Sequence, residues 1–271
     1  MSIFPSSTGR QGCWCRLAAL LTLLLLVGGC ATPPAVSRAT FTQVSAIDAL
    51  LAGSYDGQMT LAELRQSGNF GIGTFHALDG EMILLDGEFY QARADGHIYR
   101  PAPSVTTPFA SVVNFAPEKS TALAPGADWA ALIAAADALV ADPNALCAVR
   151  VRGTFRHVKI RSVPAQKQPY PPLVEVAKTQ PVYERAEVRG TLVGFRAPPF
   201  VKGINVPGYH LHFLSDDRQF GGHVLALTLE SGTLEVAGST RLQVLLPTSP
   251  GALAGLDLKR DRTHELEKVE K

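Results

Sequence analysis

Cysteine is scarce in this chain, and no disulfide framework is expected from it. There are four cysteines in 271 residues. Cys13 and Cys15 precede an apolar run, Cys30 follows it, and Cys147 stands in an apolar setting where a thiol serves as a small core residue. Positive charge is not in excess either: 25 Lys and Arg face 24 Asp and Glu. That balance argues against a nucleic-acid footprint. No Gly-rich phosphate-binding loop occurs, so no nucleotide or other organic cofactor is expected. After residue 40 no apolar stretch approaches the roughly 20 residues that a membrane helix needs.

What is present begins with a leader. Arg10 and Arg16 supply a positive segment, and Leu17–Val27 is apolar apart from Thr22. This run is too short to span a bilayer but suits an export signal, so residues 1–30 are excluded from the fold. The run ends V-G-G-C, which resembles a bacterial lipoprotein cleavage box with Cys30 as the acylated first residue of the mature chain. Residues 31–40 then read as a tether. The expected location is exported and membrane-anchored, with the membrane engaged only through a lipid on Cys30.

The rest reads as one catalytic unit of two portions, 41–150 and 151–271. Ala46–Leu51 has helical spacing, and Thr60 with Glu63 forms a capping box for Leu61–Ser67. Asp79-Gly80, Asp86-Gly87 and Asp95-Gly96 punctuate short apolar runs, the pattern of a strand meander. Phe109–Phe115 reads as another strand and Trp129–Val140 as a helix closed by Asp142-Pro143. V-R-G-T-F at Val151–Phe155 is echoed by V-R-G-T-L at Val188–Leu192, through duplication or a shared preference at strand entry. Between them the Pro-rich Val163–Pro172 is expected as an extended arm, because Pro-Tyr-Pro-Pro fits neither a helix interior nor a central strand. Long strands run on to Leu246, and the charged tail Arg260–Lys271 reads as mostly solvated. The fold class is α+β: a mixed or antiparallel sheet in the first half continues into a barrel-like, β-rich second half, with few helices.

The densest chemistry lies in Val206–Val224, V-P-G-Y-H-L-H-F-L-S-D-D-R-Q-F-G-G-H-V. Alternation through Tyr209, Leu211 and Phe213 marks a strand, so His210 and His212 share its other face. Ser215–Arg218 and Gly221-Gly222 read as a turn that brings His223 beside them. One histidine on a strand is ordinarily a core or surface residue; three imidazoles with open positions form the donor set of a catalytic metal site. Two other groups are candidates. Glu81 either caps the Asp79-Gly80 turn or sits at a cavity edge with a raised pKa. Arg161 in V-K-I-R-S-V-P is either a surface charge or an anion ligand.

These phrases, in this order, resemble the bacterial alpha-acetolactate decarboxylase family. The likeness runs through I-D-A-L-L-A-G-S-Y-D-G, F-G-I-G-T-F-H-A-L-D-G-E-M-I, T-P-F-A, K-I-R-S-V-P-A-Q-K-Q-P-Y-P-P-L-V-E-V, N-V-P-G-Y-H-L-H-F-L and G-G-H-V-L. It covers nearly all of residues 41–271. The resemblance implies a zinc-dependent carboxy-lyase that turns 2-acetolactate into (R)-acetoin and carbon dioxide, commonly as a homodimer. It implies that Zn2+ is held by His210, His212 and His223, with Glu81 and Arg161 in catalytic roles. It also implies a tail glutamate that reaches back to the site, placed at Glu270 with Glu267 and Glu265 as fallbacks.

The chemistry fits that donor set. Loss of carbon dioxide from an α-hydroxy-β-keto acid leaves an enediolate, and a metal chelated by the hydroxyl and ketone oxygens acts where the charge develops. Arg161 would hold the substrate carboxylate, while Glu81 and Glu270 handle protons. The competing readings are a non-catalytic zinc-binding surface lipoprotein and a different β-barrel metalloenzyme. The first would favour a flexible His-rich and acidic loop, which the chain lacks. The second would favour a carboxylate ligand soon after H-x-H, where Asp216 and Asp217 fall in the expected turn.

Overall fold

Two sheets face one another across a shared apolar layer. The structure, a computed structural model, describes residues 1–4 and 39–270. The leader and the Cys30 box lie outside the described residues. Ala39 to Glu270 fall in one compact unit, and none of the described helices is long and apolar enough to cross a membrane.

The first sheet has seven strands, in the order Arg241–Leu245, Thr40–Val44, Ala110–Val113, Phe70–Thr74, Glu81–Leu85, Glu88–Ala92 and Ile98–Tyr99. Its first pair is parallel and the others antiparallel, so the sheet is mixed. The hairpin at Asp86-Gly87 is the two-residue turn that its sequence predicts, with both residues at positive φ. Asp79-Gly80 differs from expectation. It follows a 3-10 turn, His76–Leu78, rather than joining two strands directly.

The second sheet closes on itself. Leu146–Arg161 pairs with Val182–Ala197, which pairs with Gly208–Ser215, which pairs with Gly221–Ser239, which pairs back with Leu146–Arg161. Lys119–Leu123 adds to Gly221–Ser239 as a fifth strand. Irregularities in register near Thr154, Phe155 and Lys159 bend the long strands, as β-bulges do, and this allows so small a ring to close. The V-R-G-T echo acquires a geometric account: the two phrases pair with each other, Val151 with Leu192 and Gly153 with Gly190. Gly153 also pairs with Gly232. A Cβ on Gly153 would lie 2.1 Å from the Ser231 carbonyl oxygen, so the strands cross here closer than any side chain permits.

Alternation sorts the side chains. Leu211 and Phe213 join Phe155, Val158, Leu192 and Leu229 in one buried cluster, where Phe155 and Phe213 meet edge to face. Leu214, on the opposite face, packs with Val193 and Phe195 against Phe41, Phe70, Ile83 and Leu85 of the first sheet. The expected helix Trp129–Val140 is present with those bounds, capped by Asp128. Thr60 and Glu63 make the full capping box, although the α-helix runs only Leu61–Leu64 before tightening into a 3-10 turn.

Three local expectations are corrected. Phe109–Phe115 shortens to the strand Ala110–Val113. Gly221-Gly222 belongs to the strand that carries His223, not to the turn before it. The tail is not a solvated segment: Thr263–Glu270 is a helix whose Val269 and Leu266 pack against Ile47, Leu50, Leu173 and Val176. Asp261 opens it by accepting from the Thr263 backbone N–H at 2.9 Å.

Candidate metal centre

The site forms where the ring faces the first sheet. His212 is directly opposite His223, and His223 is directly opposite Arg161. Directly opposed residues in an antiparallel ladder share a face, so these three side chains form a row across three strands. His210 stands two residues before His212 on the same face. Gly222, at φ +157°, makes the close pairing available, since a Cβ there would lie 2.5 Å from the Arg161 carbonyl oxygen. From the other sheet, Glu81 shares a strand face with Ile83 and Leu85, which point into the layer between the sheets. The end of the tail helix brings Glu270 to the same place.

All six predicted residues therefore meet. The ligand atoms of His210, His212 and His223 lie within 4.8 Å of one another. Glu81 Oε2 is 3.6 Å from His212 Nε2, and Glu270 Oε2 is 3.8 Å from Nε2 of both His210 and His223. Glu81 takes the cavity-edge position rather than acting as an exposed turn cap, and Arg161 is buried rather than a surface charge. Leu78, Phe109, Val163, Leu173 and Val269 wall the cavity. Glu265 pairs with Arg260 and Arg262, and Glu267 lines a neighbouring cavity, so Glu270 is the tail glutamate at the histidines. Asp216 and Asp217 sit in the outer turn, where Asp217 accepts from the Gln219 backbone N–H.

The electrostatics suit a cation bound by neutral nitrogen. Burial, helped by the Arg161 charge, lowers the His210 pKa to about 3. Burial, followed by the neighbouring His210, holds His212 well below the usual imidazole range, and burial with Arg161 does the same for His223. The His212 Nδ1–H donates to the Met82 carbonyl oxygen at 2.9 Å, which directs the Nε2 lone pair inward. That Nε2 is buried without a hydrogen-bond partner. A metal ion is the group that such an orphaned acceptor fits. Burial raises Glu81 to about 7, against the pull of Arg161 and with the added repulsion of Glu270; burial likewise raises Glu270 to about 7, opposed by Arg161. Both carboxyls are thus poised to hold or release a proton near neutrality.

Two contributors escape sequence reasoning. The Met82 carbonyl is a backbone group with no sequence signal. Gln180, just upstream of the strand Val182–Ala197, accepts from Arg161 Nη1 at 2.6 Å. Only the register that pairs Arg161 with Val182 reveals that proximity.

Comparison with known proteins shows the family. The sequence profile described as alpha-acetolactate decarboxylase matches residues 41–259. An alpha-acetolactate decarboxylase of Methylococcus capsulatus is 43% identical over 228 residues, covering 84% of this chain and 87% of the relative. One from Methanosarcina mazei is 45% identical over 229 residues, covering 84% and 79%. The crystal structure of the Bacillus subtilis enzyme superposes with a TM-score of 0.83 at 36% identity, covering 85% of this chain and 99% of that one. With a family profile across most of its length and relatives of this identity, the chain belongs to the alpha-acetolactate decarboxylase family.

Proposed function

We propose that the protein is a zinc-dependent carboxy-lyase that converts 2-acetolactate to (R)-acetoin and carbon dioxide. The observation that carries this reading is one buried cavity combining three neutral imidazoles, one guanidinium and two carboxyls near neutrality. His210, His212 and His223 would hold the ion, and three neutral nitrogen donors suit Zn2+. When bound, the metal supplies Lewis-acid stabilisation of negative charge on the substrate's oxygens.

The chain's own groups do the rest. Arg161 grips the substrate carboxylate and orients the carbon–carbon bond that breaks, so that its electron pair enters the adjacent ketone system as carbon dioxide leaves. One of Glu81 and Glu270 accepts the hydroxyl proton and returns it to that oxygen once carbon dioxide has left, and the other delivers a proton to the carbon left behind. The net change is one proton taken up and one carbon dioxide released. Protonation from a fixed side gives a single enantiomer. The apolar wall limits access of water, which would otherwise protonate either face.

The test is acetoin formation by purified protein from racemic 2-acetolactate, with and without a chelator, alongside metal analysis and chiral chromatography. Metal-reversible formation of one enantiomer is expected. A zinc-loaded protein that releases no acetoin is not this enzyme.

We further propose that the protein is exported and anchored through an acylated Cys30, a reading supported by the run Leu17–Val27 and the V-G-G-C box. Labelling with a fatty-acid analogue, lost in Cys30→Ser, tests it. A homodimer is the proposed assembly, on the strength of the family resemblance, and light scattering reads it directly.

A further inference from the structure

Arg161 is 3% exposed. A guanidinium so buried is ordinarily matched by a carboxylate, because an unpaired charge is costly to remove from water. Here no ion pair satisfies it among the described residues. Glu81 and Glu270 make their closest approaches to the imidazoles and feel the Arg161 charge only at longer range. Among the described residues the one side-chain hydrogen bond of Arg161 runs from Nη1 to the neutral amide oxygen of Gln180, and its Nε is buried without a partner.

We infer that Gln180 is a positioning residue that fixes the Arg161 fork while leaving its charge whole for the substrate carboxylate. A glutamate at this position would differ by one group, reach the same nitrogen and neutralise it in a strong charge-assisted pair. An amide oxygen fixes one arm of the guanidinium and adds no charge. The guanidinium lines the cavity, and its remaining cationic field acts there on an anion. Local structure supports the placement: Val182, the register partner of Arg161, is two residues along from Gln180. The backbone N–H of Ser162 also reaches the intervening Pro181 carbonyl.

The inference rests on the proposed decarboxylase reading, in which Arg161 binds a carboxylate. The experiment compares wild type, Gln180→Glu, Gln180→Leu and Arg161→Gln at pH 7.5. It measures KM and kcat for 2-acetolactate, inhibition by the neutral product acetoin, metal content and melting temperature. Gln180→Glu should raise KM at least tenfold, leave the acetoin inhibition constant and metal content within twofold, and melt higher than wild type. Gln180→Leu removes the anchor without adding charge, so kcat should fall several-fold with a smaller rise in KM. A merely structural glutamine would shift acetolactate and acetoin together. If Gln180→Glu keeps KM within twofold of wild type, or weakens both ligands equally, the role of Gln180 is overturned. Should Gln180→Glu not fold, unchanged kcat in Gln180→Leu overturns it instead. If wild type forms no acetoin, the decarboxylase reading itself fails. If Arg161→Gln raises KM and Gln180→Glu does not, that reading stands and only the inference falls.

Discussion

Replacing Glu81 with glutamine separates what its carboxyl does for chemistry from what it does to stability. The two side chains have nearly the same shape, so the packing around residue 81 is retained. Burial raises the carboxyl pKa from 4.5 to about 7, and this sets the sign in metal-stripped protein. Below pH 4.5 the folded and unfolded chains both keep the proton, so the group adds no penalty. Between 4.5 and about 7 the unfolded chain ionises first, and stability falls as pH rises. Above 7 the folded protein carries a buried anion and the loss is complete. At about 1.4 kcal/mol per pKa unit, that loss is roughly 3 kcal/mol. Glutamine never ionises. The variant should therefore be more stable at pH 8 by up to about 3 kcal/mol, or about 6–12 °C in melting temperature for a chain of this size. The gain should vanish towards pH 4.5. Turnover should move the opposite way, falling by about 10²–10⁴-fold, the usual contribution of a positioned proton carrier. Thermal melts of metal-stripped protein at pH 5, 6, 7 and 8 read the first effect. Acetoin release by zinc-loaded protein reads the second. A gain that is the same at pH 5 and pH 8, or full turnover with zinc in place, would refute the reasoning.

Other expectations follow from the same geometry. His212→Ala should lose most bound zinc by elemental analysis, whereas Glu81→Gln should retain it. Because burial keeps the imidazoles neutral well below 6.5, zinc affinity measured by chelator competition in the Glu81→Gln, Glu270→Gln double variant, which lacks the two carboxyls that titrate near 7, should change little between pH 7.5 and 6; three ordinary histidines would lose affinity steeply there. Val269→Ala removes two buried methyl groups, roughly 1–2 kcal/mol of docking. Hydrogen exchange should speed up in Thr263–Glu270, and activity should fall further than the melting temperature suggests. Phe155→Ala, deep in the ring, should cost about 3–5 kcal/mol in denaturant titrations.

Much of this was legible in the sequence where the determinants are local. The Thr60 capping box, the Asp86-Gly87 hairpin and the helix Trp129–Val140 are each specified by a few adjacent residues. The shared face of His210 and His212 followed from alternation alone. The rest depends on partners far along the chain. Nothing local tells that Gly153 must meet Gly190 and Gly232, nor that Arg161 is buried. The tail reads as charged because five of the eight residues in Thr263–Glu270 are acidic or basic or histidine. Only Leu266 and Val269, three apart, signal a face that docks. Glu81 was ambiguous for a related reason: the turn it follows is local, whereas the histidines it faces come from the other sheet.

The row of Arg161, His223 and His212 has a consequence for folding. The ligands sit on different strands, so their meeting reports that those strands have paired in the correct register. A slip of one residue in Gly208–Ser215 would turn Leu211 and Phe213 towards the site and bury both histidines in the ring. An ion that binds only the correct pairing stabilises it and none of its competitors. The bound metal would then act as a clasp on the closure of the ring, and its removal should loosen the last strand pairing first.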